Sequence, residues 1–212
     1  MGLPPPQTLI KLYPVLYETL TFLSEEVNKY LSLKMGALAE PRLKIGNVSL
    51  ALDSTLVGAN SLAGKAILSL VNIEEDKVAK QQENFSRTDS TTVYKSPPLY
   101  LNLYVLFSVN KPEYDDCLKW LGHIMQFFQY QQVFTPTTHP NLDSRIPKVV
   151  VDLFSMNFEQ VNHLWSTLGG KYLPSVMYKI RQITVDEDVT VSESGFIKTI
   201  QLNEKMKPPV TE

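Results

Sequence analysis

Several groups of residues in this chain bring chemistry-bearing side chains close together in sequence. Gly58-Ala-Asn-Ser-Leu-Ala-Gly64-Lys65-Ala66 sets two glycines and a lysine ahead of an apolar run, the outline of a phosphate-cradling loop. Such a loop needs four residues between its glycines and a Ser or Thr after the lysine to reach magnesium. Here five intervene and Ala66 has no hydroxyl, so the segment reads as a glycine-bearing turn before a strand. Glu74-Glu75-Asp76 and Asp186-Glu187-Asp188 are carboxylate runs that each follow a strand pattern. With no histidine or further carboxylate at ligand spacing, both read as solvated strand ends rather than acid/base or metal sites. His123, His139 and His163 stand apart from one another. His163 invites a pairing with Asp152 and a serine, but no Gly-x-Ser-x-Gly turn exists to hold a nucleophile. Cys117 falls on an apolar helix stripe and reads as a small core residue. No catalytic set, cofactor site or metal site is expected from these residues.

The elements that would have to position such groups are those of an α/β domain. At 212 residues, 43% apolar and 20% charged, the chain suits one full-sized domain with a sizeable core. A formal net charge of -2 leaves no electrostatic footprint for nucleic acid or anionic lipid. A lone cysteine excludes an internal disulfide framework and fits a reducing compartment. Asn47-Val-Ser49 and Asn84-Phe-Ser86 match the glycosylation pattern, yet Met-Gly-Leu-Pro-Pro-Pro has no basic-then-apolar signal. No apolar run approaches the ~20 residues that cross a bilayer, so a soluble chain made in the cytosol is expected.

Leu9, Leu12, Tyr13, Leu16, Leu20, Leu23, Val27, Tyr30 and Leu31 recur at helical spacing up to a Gly36 stop. Asn47 to Asp53 is a short strand candidate and Ala66 to Glu75 a stronger one, while polar Asp76 to Ser96 reads as a long mobile loop. Pro98 to Asn110 reads as the most prominent strand. Leu99, Leu101, Leu103, Val105, Phe107 and Val109 fall on one face and a mixed set on the other, which belongs mid-sheet under helices. Glu113 to Gln131 is the second long helix, Val149 to Phe154 a strand, Asn157 to Leu168 a third helix, and Val176 to Val185 the last strand before a polar tail.

The second helix carries a buried stripe of Tyr114, Cys117, Leu118, Leu121, Ile124, Met125 and Phe128. Trp120 and Phe127 widen its apolar arc beyond the ~100° that one packing surface needs. Aromatic side chains outside the stripe point to a subunit contact at Trp120 and Phe127.

Three segments stand out together: Ile67-Leu-Ser-Leu-Val-Asn-Ile-Glu-Glu75, Pro98-Leu-Tyr-Leu-Asn-Leu-Tyr-Val-Leu-Phe107 and Leu164-Trp-Ser-Thr-Leu-Gly-Gly-Lys-Tyr-Leu-Pro-Ser-Val-Met-Tyr-Lys-Ile-Arg181. In order and content they closely resemble the tail-terminator, or cap, family of phage-tail-like contractile injection systems, of antifeeding-prophage and virulence-cassette type. Phe127-Phe-Gln129 and Val133-Phe-Thr135 lie between them in the expected order. The resemblance implies a tail-terminator-like fold, α/β, a single domain with a central mixed β-sheet flanked by α-helices. It implies a cap domain over residues 1–186 and leaves 187–212 as a polar C-terminal tail. It further implies a homohexameric ring that closes the distal end of the inner tube, stops its growth and anchors the last sheath layer. The expected partners are the chain itself, the inner tube protein and the contractile sheath protein, with no nucleic acid, no membrane insertion, no cofactor and no enzymatic activity. Assembly in the bacterial cytoplasm and residence in the finished particle follow from the same resemblance.

Two other readings compete. One is another non-enzymatic ring of the same machine, a baseplate or tube-adaptor component. The other is a small-molecule-processing enzyme, which would need a pocket built around His163 or the acidic clusters.

Overall fold

A computed structural model describes residues 14–52, 58, 61–76, 85–87, 91–95, 99–169, 171–185 and 190–195. The chain divides into two compact units, the first made of residues 1–79 and 99–185, the second of 80–98 and 186–212.

The first unit is a mixed six-stranded sheet with helices on both faces. Helix α1, Val15–Met35, begins after Pro14, whose missing amide proton matters little where the first turn has no intrahelical acceptor. The Pro14 carbonyl instead receives Tyr17 N at 2.9 Å and Glu18 N at 3.2 Å. Gly36, with φ at +81°, ends the helix in backbone space that other residues avoid. Strands β1, Leu43–Ile45, and β2, Lys65–Glu75, run parallel, while β2 pairs antiparallel with the strand that crosses 99–110. Two further strands, β3 Phe85–Arg87 and β4 Thr91–Lys95, belong to the second unit. The first unit continues with β5 Leu99–Asn110, α2 Tyr114–Tyr130, β6 Val133–Phe134, β7 Val149–Phe154, α3 Phe158–Thr167 and β8 Ser175–Val185. Its strand order is β1-β2-β5-β8-β7-β6.

β5 lies inside this sheet, paired with β2 on one side and β8 on the other, as its two-faced pattern demands. Leu103, Val105, Phe107 and Val109 pack under α1 and α2 with Leu23, Val27, Ile124 and Phe128. Leu106 faces the opposite way, into a smaller cluster with Ile67, Met177 and Trp165 of α3. Asn157 caps α3 in a reciprocal box: Gln160 N donates to its side chain at 2.8 Å and its own amide donates to Gln160 Oε1 at 3.0 Å. Register shifts at Leu70/Asn72 in β2 and at Leu101/Leu103 in β5 mark bulges that curl the sheet.

Three sequence expectations change. The strand foreseen at Asn47 to Asp53 is a single 3₁₀ turn over Val48–Leu50. Asn47 Oδ1 accepts from Ser49 N at 3.0 Å, a local bond that competes with an extended backbone. The strand in this region is the shorter β1. The polar stretch Asp76 to Ser96, expected as a loop, contains β3 and β4. The polar tail contains β9, Thr190–Gly195, which pairs antiparallel with β4 to complete the second unit's three-stranded sheet, β3-β4-β9. Leu9, Leu12, Tyr13, Pro98 and Asp186-Glu187-Asp188 lie outside the described residues.

Candidate interaction surfaces

Most of the described residues singled out for chemistry have structural partners. The Tyr104 hydroxyl donates to Glu74 Oε2 at 2.7 Å, and Lys179 Nζ reaches the same oxygen at 3.3 Å. The Tyr104 bond, then Lys179, holds the Glu74 carboxyl below the usual carboxylate range. Bonds from Tyr104 and Glu74 raise Lys179 against the opposing effect of burial. Both groups are therefore charged at neutral pH, an ion pair across three strands rather than a proton-transfer couple.

Asp152 is paired with Arg181 Nε at 2.6 Å, and His163 lies exposed on α3. The hydrolytic pairing of His163 with Asp152 is thus replaced by a salt bridge across β7 and β8. His123 Nδ1 meets Gln126 Oε1 at 3.1 Å. His139 packs edge-on against Phe134 at 5.0 Å and Phe22 at 5.8 Å, a structural aromatic under a loop. Cys117 is buried, with its sulfur 3.7 Å from Val109 O and 3.6 Å from Lys111 O. In the glycine-bearing turn, Lys65 Nζ reaches Glu40 Oε2 at 2.9 Å and Pro41 O at 3.2 Å. The lysine of the apparent phosphate loop thus faces a carboxylate. Among the described residues no group of three or more side chains is arranged to hold a metal, and no helix is long and apolar enough to cross a membrane.

Trp120 and Phe127 are each only 6% exposed. Helix α2 packs against α1 as well as the sheet, which accounts for the width of its apolar arc. Phe127 meets Tyr30 of α1 at 5.3 Å, and Trp120 is flanked by the Arg42 guanidinium at 6.0 Å and Lys111 Nζ at 4.6 Å. What either ring offers a neighbouring molecule is its small outer edge. Tyr114, Leu118 and Met125, expected in the buried stripe, are 59%, 49% and 43% exposed.

Described residues of the first unit line several apolar recesses, of which two lie against the sheet. One, about 550 Å³, is floored by Phe128, Val151 and Tyr178 and rimmed by Gln126, Gln129 and Gln132. The other, about 410 Å³, runs beside β2 and α3 and is lined by Val71, Ile73, Tyr104, Phe154 and Met177. It adjoins a sheet edge that sequence periodicity does not show. β1 pairs with Ala66 to Leu68, and Gly46 N donates to Leu68 O at 3.1 Å just past it. Leu70 and Ile73 on the remaining half of β2 are 38% and 44% exposed. The short length of β1 creates this edge, and a lone three-residue strand has no periodicity by which to announce itself.

The family model described as the Pvc16 N-terminal domain matches residues 18–199 of the chain. Among solved structures, the sheath/tube terminator of the PVC extracellular contractile injection system in its extended state matches with a TM-score of 0.52 and 11% identity, over 88% of this chain and 65% of that one. The tube-terminating cap of the anti-feeding prophage matches with a TM-score of 0.51 and 12% identity, over 86% and 60%. The chain thus spans less than two thirds of the length of each of these proteins. No curated protein matches.

Proposed function

The chain belongs to the Pvc16 N-terminal domain family, and from that premise we propose that it is a structural cap of a contractile injection system. In this reading it forms a homohexameric ring on the distal end of the inner tube, ends tube growth and fixes the last sheath layer. The observation that carries the reading is the family match over residues 18–199, supported by a shared fold with two terminator proteins. The cap reading therefore assigns this chain no enzymatic role.

A tube built by stacking identical rings presents a fresh copy of its recruiting surface after every addition. A ring that matches this symmetry and binds that surface, yet offers no copy of it on its far side, ends the series. Neighbouring copies in the ring meet through a heterologous contact that closes on itself. Helix α2 contributes the exposed side chains of Leu118 and Met125 to that contact, on the opposite side of the helix from Trp120 and Phe127. Assembly takes place in the bacterial cytoplasm, and the protein then remains in the particle.

The decisive measurement is particle length in a strain lacking this protein, read by negative-stain microscopy. Tubes or sheaths of irregular length, or sheaths detached from the tube end, are expected. A length distribution and sheath state identical to the parent would refute the terminator role. An effect confined to the membrane-proximal end would favour a baseplate or adaptor ring instead.

A further inference from the structure

We infer that the recess floored by Phe128, Val151 and Tyr178 is a socket for Phe158 of a second copy of this chain, so that the α3 side of one subunit meets the α2 side of the next. The inference rests on the ring reading above and names the two surfaces that would close the ring.

The socket selects by what it lacks. Phe128, Val151 and Tyr178 form its buried floor, and Gln126, Gln129 and Gln132 stand around it. Among the described residues no charged side chain lines it. A charge entering there would lose its water and meet no counter-charge, so the occupant is uncharged. At about 550 Å³ the hollow has room for an aromatic ring. Met125 of α2 and Leu153 of β7 line it as well and are exposed. Its apolar surface therefore runs on into the side of α2 that carries the proposed ring contact.

The chain itself supplies a matching side chain. Phe158 is the first residue of α3 and, at 95% exposed, stands further into water than any other large apolar side chain described. The helix does not depend on it. Asn157 and Gln160 secure the N-terminus, while Trp165, Val161 and Leu164 supply the packing side. A lone apolar residue at a surface is ordinary. What singles out Phe158 is an uncharged hollow of ring size on the opposite face of the same sheet.

That placement decides the kind of contact. Val151 and Tyr178 belong to the cluster under α1 and α2, whereas α3 packs with Leu106 and Met177 on the other face. Copies that met by like faces would leave both Phe158 and the socket unmatched. A contact joining opposite faces is head-to-tail, the heterologous kind that closes into a ring when the rotation fits.

The test uses the full chain, with and without the tube protein of the same particle, and reads ring formation by mass photometry. Phe158→Ser is expected to melt with the parent and to raise the concentration needed for rings at least tenfold. Leu153→Glu, at the socket, is expected to do the same. The double variant should lose no more than the worse single one, because both changes break one contact. Separately, Phe158→p-benzoylphenylalanine keeps an aromatic ring at the position. Irradiated in assembled rings, it should join neighbouring copies through peptides that carry Met125, Gln129 or Leu153.

Rings formed at the parent's concentration by either variant, additive losses in the double variant, or cross-links that map elsewhere would overturn the inference and leave the cap reading intact. Cross-links to the tube protein in place of a second copy would assign Phe158 to the tube and overturn it as well. If Phe158→Ser fails to fold, Leu153→Glu and the cross-link map decide. A parent chain that forms no ring with or without tube protein would sink the cap reading and, with it, the second copy proposed here.

Discussion

Phe127 on α2 rests against Tyr30 on α1, ring centroids 5.3 Å apart, and it also touches Phe128 at 5.0 Å and Phe134 at 6.1 Å. An arc of helix surface that periodicity marks as surplus to one packing face is thereby closed inside the subunit. Helix α2 serves two neighbours, the sheet through Ile124 and Phe128 and the first helix through Phe127.

Truncation of either ring should therefore damage folding. Phe127→Ala and Phe128→Ala are each expected to destabilise by roughly 3–5 kcal/mol, since both leave a cavity among aromatic partners. Leu118→Ala, on the exposed side of the same helix, should stay within about 0.5 kcal/mol of the parent. Urea unfolding of the three variants checks this. A Phe127→Ala midpoint equal to that of Leu118→Ala would show that the α1–α2 contact carries little energy.

Acid should loosen the anchorage of the loop after β6. Asn141 Nδ2 donates to Glu26 Oε1 at 3.0 Å and Lys29 Nζ approaches the same oxygen at 2.7 Å. Burial pushes the Glu26 carboxyl up, but the bonds from Lys29 and Asn141 and the charges of Lys29 and His139 outweigh it and hold the group below its ordinary 4.5. A carboxyl with a depressed folded pKa adds stability above the unfolded value and loses it as pH falls through the folded one. Glu26→Gln should therefore lower stability at pH 7 and flatten the acid limb below about pH 4.5. Parallel limbs in parent and variant would show that this carboxylate is not coupled to folding.

At the alkaline end, burial pushes the Tyr178 hydroxyl up to about 12. Tyrosine ordinarily titrates near 10, so folding favours the protonated phenol. That contribution is fully present below about pH 10 and is lost as pH rises toward the folded value. Titration at 295 nm should show a late-ionising phenol that disappears in Tyr178→Phe. If the late phase persists in that variant, it belongs to another tyrosine.

The long elements were legible because their periodicity spans many residues. The β7 strand matches its predicted limits at Val149 and Phe154, and α3 falls one residue inside its predicted range at each end, where Asn157 and Leu168 cap it. The family resemblance rested on Ile67–Glu75, Pro98–Phe107 and Leu164–Arg181 and agrees with the family match. Local patterns failed where another force decided. Val48, Leu50 and Leu52 alternate like a strand, yet Asn47 bends the backbone and the Ser69 hydroxyl accepts from Val48 N at 3.0 Å. Phe127 looked spare because periodicity within α2 does not reveal that α1 lies beside it.

The ring itself yields the last prediction. Leu118 and Met125 lie one helical face from Cys117, Ile124 and Phe128 but are 49% and 43% exposed, while those three residues are buried. A charge there burdens folding little, because the side chain already stands in water. The same charge inside a closed heterologous contact has to be desolvated once per subunit, so a modest penalty at one interface recurs around the ring. Leu118→Glu and Met125→Glu should therefore melt within a few degrees of the parent and fail to form rings. Mass photometry with and without tube protein reads this directly. The parent is expected as a hexamer at least on its tube template, because ring formation can depend on the template's presence. If both variants form the parent's ring, α2 faces away from the subunit contact. If the parent stays monomeric with and without tube protein, no ring forms and the cap reading fails.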